Sequence, residues 1–140
     1  MNAMRSLVVL VIATAGLNGC GGVADCRAIH EVNVRVSRHG HALSQRAVSI
    51  AMGDVREEHF SKPHQVTTDA AGRAHTTFET MWGAAFVVIP PLGLIPPRPP
   101  KPDYAITVGN QRVLVSPKTP GVTYTWHDGS WHTDGSIDVP

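Results

Sequence analysis

Val32-Asn33-Val34-Arg35-Val36 is the stretch that decides the fold. Three β-branched residues alternate with two polar ones, the period-two pattern of a strand with one face buried. The same alternation recurs down the chain. Val48 and Ile50 flank Ser49, and Ala74, Thr76 and Phe78 alternate with Arg73, His75 and Thr77. Tyr104, Ile106 and Val108 follow, then Val113 and Val115, then Val122, Tyr124 and Trp126. Ala84 to Ile89 is a continuous apolar run, which suits a strand covered on both faces. Beyond the first 19 residues no helical period of useful length appears. Seven or eight short strands punctuated by Gly, Pro and Asp predict an all-β sandwich.

The joints between these strands carry turn chemistry. Asp69-Ala70-Ala71-Gly72 places Asp first and Gly last in a type I turn. Gly109-Asn110 links two alternating runs tightly. Thr123 to Thr133 reads as a hairpin closed by Asp128-Gly129, with His127 facing Ser130 and Trp126 facing Trp131. From Asp134-Gly135 onward a polar end is expected to fray.

The N-terminus has a different character. Arg5 is the only charge in the first 24 residues, and Leu7 to Gly16 is an apolar run of ten. A helix that spans a bilayer needs roughly 20 such residues, so the run reads as the core of a helical signal segment over residues 1–19. It ends in Leu17-Asn18-Gly19-Cys20, which resembles the lipobox of bacterial lipoproteins; Asn18 departs from the small residue usual in its place. The resemblance implies cleavage before Cys20 and acylation of its new N-terminus, with palmitate among the chains. Gly21 stands where lipoproteins retained in the inner membrane often carry Asp, which implies the outer membrane and exposure to the periplasm. Cleavage after Ala13-Thr14-Ala15, releasing a soluble protein, is the alternative. Residues 20–30 read as a tether that holds the domain off the lipid surface.

What remains from residue 20 onward is 121 residues with 11 basic and 11 acidic side chains. That length suits one domain, and folding at this size buries somewhat over about 60% of the chain's surface. A neutral, mixed surface argues against nucleic acid, which calls for a basic stripe. With Cys20 acylated, Cys26 has no disulfide partner within the chain, so stability must come from the core.

Val32 to Val36, Gly40, Leu43, Ala47-Val48-Ser49-Ile50, Thr68-Asp69-Ala70-Ala71-Gly72-Arg73-Ala74 and Tyr104 to Val108 stand in an order similar to that of carboxypeptidase regulatory-like domains. These are transthyretin-like (prealbumin) sandwiches, and the likeness covers residues 31–116. It implies a single sandwich of about seven strands, followed by a C-terminal hairpin and tail over 117–140. It also implies a binding, spacing or assembly role without chemistry of its own, and no cofactor. The departure is the segment between Trp82 and Asp103. Residues 90–102 of it hold seven prolines in thirteen positions. Proline lacks the amide donor of a ladder, so pairing is expected to stop near Ile89 and polyproline II to follow.

Candidate binding groups are few. Eight histidines in 140 residues raise a metal hypothesis. His39 and His41 would point one way if extended, and His75 could join them from a neighbouring strand. A durable zinc site wants three or four converging ligands, yet no HExxH or paired-cysteine motif is present, so solvated surface histidines are the competing account. Trp126 and Trp131 would offer flat rings to a sugar or proline strip if exposed, and otherwise hold their hairpin. No GxSxG elbow or Ser-x-x-Lys is present. The chain lacks the Tyr-Arg-Gly-Ser ending of hydroxyisourate hydrolases and the late His-x-His of intradiol dioxygenases. The expectation is a lipid-anchored, non-enzymatic binding module whose partner is an envelope protein or cell-wall glycan. A histidine-dependent metal-binding protein is the alternative.

Overall fold

The computed structural model describes residues 23–85, 87–89, 93–95 and 98–140, so the signal segment and Cys20 lie outside the described residues. Among the described residues twelve strand segments alternate with turns, and no helix is long and apolar enough to cross a membrane. The all-β sandwich is what the chain builds. Its first sheet contains β11 (Val122–His127), β12 (Ser130–Val139), β1 (Val23–Arg38) and β2 (His41–Ala42) in that order, with β6 (Arg73–Ala85) also paired to β1. The second contains β10 (Gln111–Val115), β9 (Asp103–Val108), β3 (Ala47–Asp54) and β4 (His59–Phe60), with β5 (His64–Thr67) also paired to β3.

Alternation delivers the core. Val32, Val34 and Val36 of β1 turn inward with Ala74 and Phe78 of β6 and with Ile137 and Val139 of β12. Val48, Ile50 and Met52 of β3 join them with Tyr104, Ile106 and Val108 of β9 and Val115 of β10. Each fully buried Val or Ile contributes about 1.5–3 kcal/mol relative to leaving it in water.

The loop after Asp69 forms as its residues dictate. The Gly72 N–H donates to the Asp69 carbonyl (3.0 Å), and Asp69 Oδ1 accepts from the Ala71 and Arg73 amides (2.8 and 2.9 Å). Gly72, at φ +77°, then aims its carbonyl at the Val36 amide, 2.8 Å away.

Three expectations need correction. The polar end does not fray: β12 runs to Val139 and pairs in parallel with β1 from Ile29↔Ser130 to Arg38↔Val139. It succeeds because Trp131, Thr133, Ile137 and Val139 alternate inward, a pattern that continues through polar Asp134 and Ser136. The stretch read as a tether is strand from Val23 onward, and Ala28 and His30 are buried. Pairing also resumes inside the proline-rich insert. β7 (Val87–Ile89) and β8 (Gly93–Ile95) form an antiparallel hairpin with Val88↔Leu94 in register. Gly93-Leu94-Ile95 is the one run of the insert free of proline, so its amides remain available to the ladder. The chain divides into two compact units, one with this hairpin (residues 1–27 and 81–100) and one with the sandwich (28–80 and 101–140).

Candidate functional site

Because β1 buries Val32, Val34 and Val36, it must present Glu31, Asn33 and Arg35 on the outer face of the first sheet. The parallel register sets Glu31 beside His132 and Asn33 beside Asp134. On the other flank β6 buries Ala74 and Phe78, which turns His75 outward. These constraints assemble a row across the sheet. Glu31 Oε2 lies 3.0 Å from His132 Nδ1, and Glu31 Oε1 lies 3.8 Å from His75 Nε2. His132 and His127 have ring centroids 6.5 Å apart, and His127 Nε2 lies 2.9 Å from Asp128 Oδ2. The shared carboxylate is 42% exposed, with His75 at 57% and His132 at 34%. Pairs this open contribute little to stability, on the order of 0–1 kcal/mol. They leave imidazole and carboxylate edges available to a ligand.

The histidines grouped from sequence are not brought together. His39 (φ 51°) and Gly40 (φ 78°) form the two-residue turn between β1 and β2, and His41 pairs with Arg38 beyond it. His75 sits beside Glu31, farther up the sheet. The turn fails the extended-strand assumption on which a shared direction for His39 and His41 rested. Among the described residues, no group of three or more His, Cys, Asp or Glu is arranged to hold a metal ion. The sequence reading missed Glu31 and His132, whose association depends on a parallel pairing that no local pattern announces. At the turn, Asp138 Oδ1 accepts from the Gly40 N–H (3.1 Å) and the Ser37 hydroxyl (2.8 Å). These bonds, with His39 nearby, hold the Asp138 carboxyl below its ordinary pKa.

The Trp126↔Trp131 register forms as expected, with an edge-on contact at 5.2 Å. Trp131, however, is only 6% exposed and has the Lys101 ammonium 5.8 Å from its ring centroid. It therefore offers no open face, and the pair is not the two-ring platform envisaged. Trp131 faces the same way as its register neighbour His30, which is 3% exposed. His30 Nε2 bonds the Thr80 hydroxyl at 2.9 Å, while its Nδ1 has no partner among the described residues. Burial lowers the His30 pKa. Burial also raises the Tyr104 phenol to about 12 against a bond to Thr133, and pushes Tyr124 up with help from Tyr104 and Asp103.

The concavities that open on the sandwich include three lined by described residues. One of about 340 Å³ lies on the outer face against Asn33, Arg35, Arg73 and Asp134. One of about 390 Å³ is lined by Asp54, Arg56, Lys101, Asp103 and Lys118. The third, of about 440 Å³, is lined by Arg38, Leu43, Arg46, Ala47, Val108 and Asn110.

No family model and no curated protein matches the chain. Among solved structures it is similar to chlorocatechol 1,2-dioxygenase from Pseudomonas putida, at 15% identity and a TM-score of 0.40, over 81% of this chain and 59% of that one. It is also similar to 3-chlorocatechol 1,2-dioxygenase from Rhodococcus opacus 1CP, at 13% identity and a TM-score of 0.38, over 79% and 59%. The chain thus spans about three-fifths of each. Likeness at this level carries nothing about activity.

Proposed function

We propose that this chain is a lipid-anchored protein of a bacterial envelope, acylated at Cys20 and facing the periplasm, that acts by binding and not by catalysis. The observation that carries the binding half is the outer face of the first sheet. There Glu31, His75 and His132 stand in cross-strand contact, partly open to water, on a rigid sheet. The anchor half rests on Leu17-Asn18-Gly19-Cys20 and the short apolar run before it. An envelope protein or cell-wall glycan with polar groups is the partner such a surface suits.

Two measurements test this. Radiolabelled palmitate should enter the wild-type protein and not Cys20→Ser; equal labelling of both, or of neither, refutes the anchor. Crosslinking in intact envelopes should recover one defined partner. The triple variant Glu31→Gln, His75→Gln, His132→Gln should lose it, and unchanged recovery refutes the assigned face. The metal-binding alternative, read from His39, His41 and His75, finds no arranged ligand set among the described residues. Dialysis of untagged protein against zinc that leaves well under one ion per chain ends it.

A further inference from the structure

We propose that the concavity lined by Arg38 and Arg46 is a binding site for a small carboxylate with an apolar skeleton, separate from the imidazole row. The other two concavities carry their own compensation: Asp134 lies with Arg35 and Arg73 in one, and Asp54 and Asp103 with Arg56, Lys101 and Lys118 in the other. The lining of this one holds two arginines and no Asp or Glu. Asp138, one register position from Arg38↔Val139, is already committed to Gly40 and Ser37.

Arg38 ends β1, between Val139 on one side and His41 on the other. That position draws its side chain half out of solvent. Its Nε is sealed from water and has no hydrogen-bond partner among the described residues. An orphaned donor on a charged group forfeits a bond to water without replacement, and a guanidinium cannot shed its proton to escape the cost. With Nε sealed inside, a carboxylate in the concavity would accept from the terminal N–H groups of Arg38, the paired geometry guanidinium favours. Arg46, exposed at the rim, supplies a second cation.

The walls refine the ligand's class. Leu43, Ala47 and Val108 are apolar, and Asn110 is the one uncharged polar side chain lining the space. A phosphate would bring three acceptor oxygens to a wall with few further donors. A carboxylate brings two and lets its carbon skeleton rest on Leu43 and Val108. A volume of about 440 Å³ falls in the range of small-molecule sites.

The test titrates hexanoate, hexanol and inorganic phosphate into the full-length protein, read by calorimetry and by amide shifts at Gly109 and Asn110. Hexanoate should bind saturably at one site and shift both amides, whereas hexanol should not bind and phosphate should bind more weakly. Arg38→Gln should weaken hexanoate binding roughly tenfold or more. Arg38→Lys should not restore it, because a point charge lacks the fork. If Arg38→Gln fails to fold, Arg46→Gln decides, with weaker binding expected. Absence of saturable hexanoate binding overturns the site, and so does binding indifferent to both arginine substitutions. Phosphate binding as tightly as hexanoate overturns the carboxylate assignment. The Glu31, His75, His132 triple variant should bind hexanoate as the wild type does, so the outcome here is independent of the outer face.

Discussion

His30 makes the sandwich sensitive to mild acid, with a sign that can be worked out. Its ring is 3% exposed, and burial lowers its pKa below the ordinary 6.5. Above about pH 7 both folded and unfolded chains hold it neutral, and no penalty arises. As pH falls through 6.5 the unfolded chain takes up a proton that the folded one refuses. Stability therefore drops by about 1.4 kcal/mol for each pH unit in which that difference persists. His30→Phe removes the titration. It forfeits the bond to Thr80, about 1 kcal/mol, and relieves the orphaned Nδ1, about 1–3 kcal/mol. The variant should thus lie within about 2 kcal/mol of the wild type near pH 8 and gain on it steadily towards pH 5. His30→Gln, which can still reach Thr80, should show the same flattening. Urea denaturation followed by tryptophan fluorescence across that range measures both curves. Parallel curves for wild type and both variants between about pH 7 and pH 5 would refute the reasoning.

Gly72→Ala should cost more than about 2 kcal/mol in urea midpoint analysis, combining left-handed strain with crowding. Its new Cβ would lie 2.8 Å from the Val36 carbonyl, while Gly109→Ala, at φ +61° in open space, should lose only about 1 kcal/mol; equal losses would contradict the close approach. Trp131→Ala should cost about 3–5 kcal/mol, and Trp126→Ala, half-buried, clearly less. Thermal unfolding that ranks them the other way would mean that Trp131 is not the buried member. Asp138 has a depressed pKa, so its contribution is present above the ordinary carboxylate value and is lost as pH falls through its folded value. Asp138→Asn should flatten the acid limb of the stability profile, and an unchanged limb would show that the Gly40 and Ser37 bonds carry no weight.

What could be read from sequence divides along the range of the interactions responsible. Val32, Val34, Val36, Val48, Ile50, Tyr104, Ile106 and Val108 announced their burial because alternation is a property of five or six consecutive residues. The Asp69–Gly72 turn and the Trp126↔Trp131 register were legible for the same reason, each being fixed by a handful of neighbours. The imidazole row was not. Glu31 and His132 are about a hundred residues apart, and they meet because β12 pairs in parallel with β1. In Ser130 to Val139 the inward residues include Thr133 and Gly135 punctuates the run, so its alternation is masked by polar composition. Grouping His39 with His41 failed for the opposite reason: their short spacing suggested a shared direction, but Gly40 between them permits a left-handed turn.

That asymmetry bears on where binding surfaces arise in a sandwich of this kind. The inward half of each strand is dictated by packing, and its residue types betray it. The outward half is free to vary, so its chemistry acquires meaning only once neighbouring strands and their register are fixed. A one-residue slip of β12 against β1 would turn His132 inward and Trp131 out, abolishing the row and exposing a large aromatic together. The burial of Trp131, Ile137 and Val139 therefore holds Glu31 and His132 in contact, although neither acid nor imidazole contributes much to that register. Shortening Ile137 and Val139 to Ala should accordingly loosen the Glu31–His132 contact, seen as weakening of the nuclear Overhauser effect between the two side chains. An undiminished Overhauser effect in a folded but destabilised variant would show that the contact does not depend on the core beneath it.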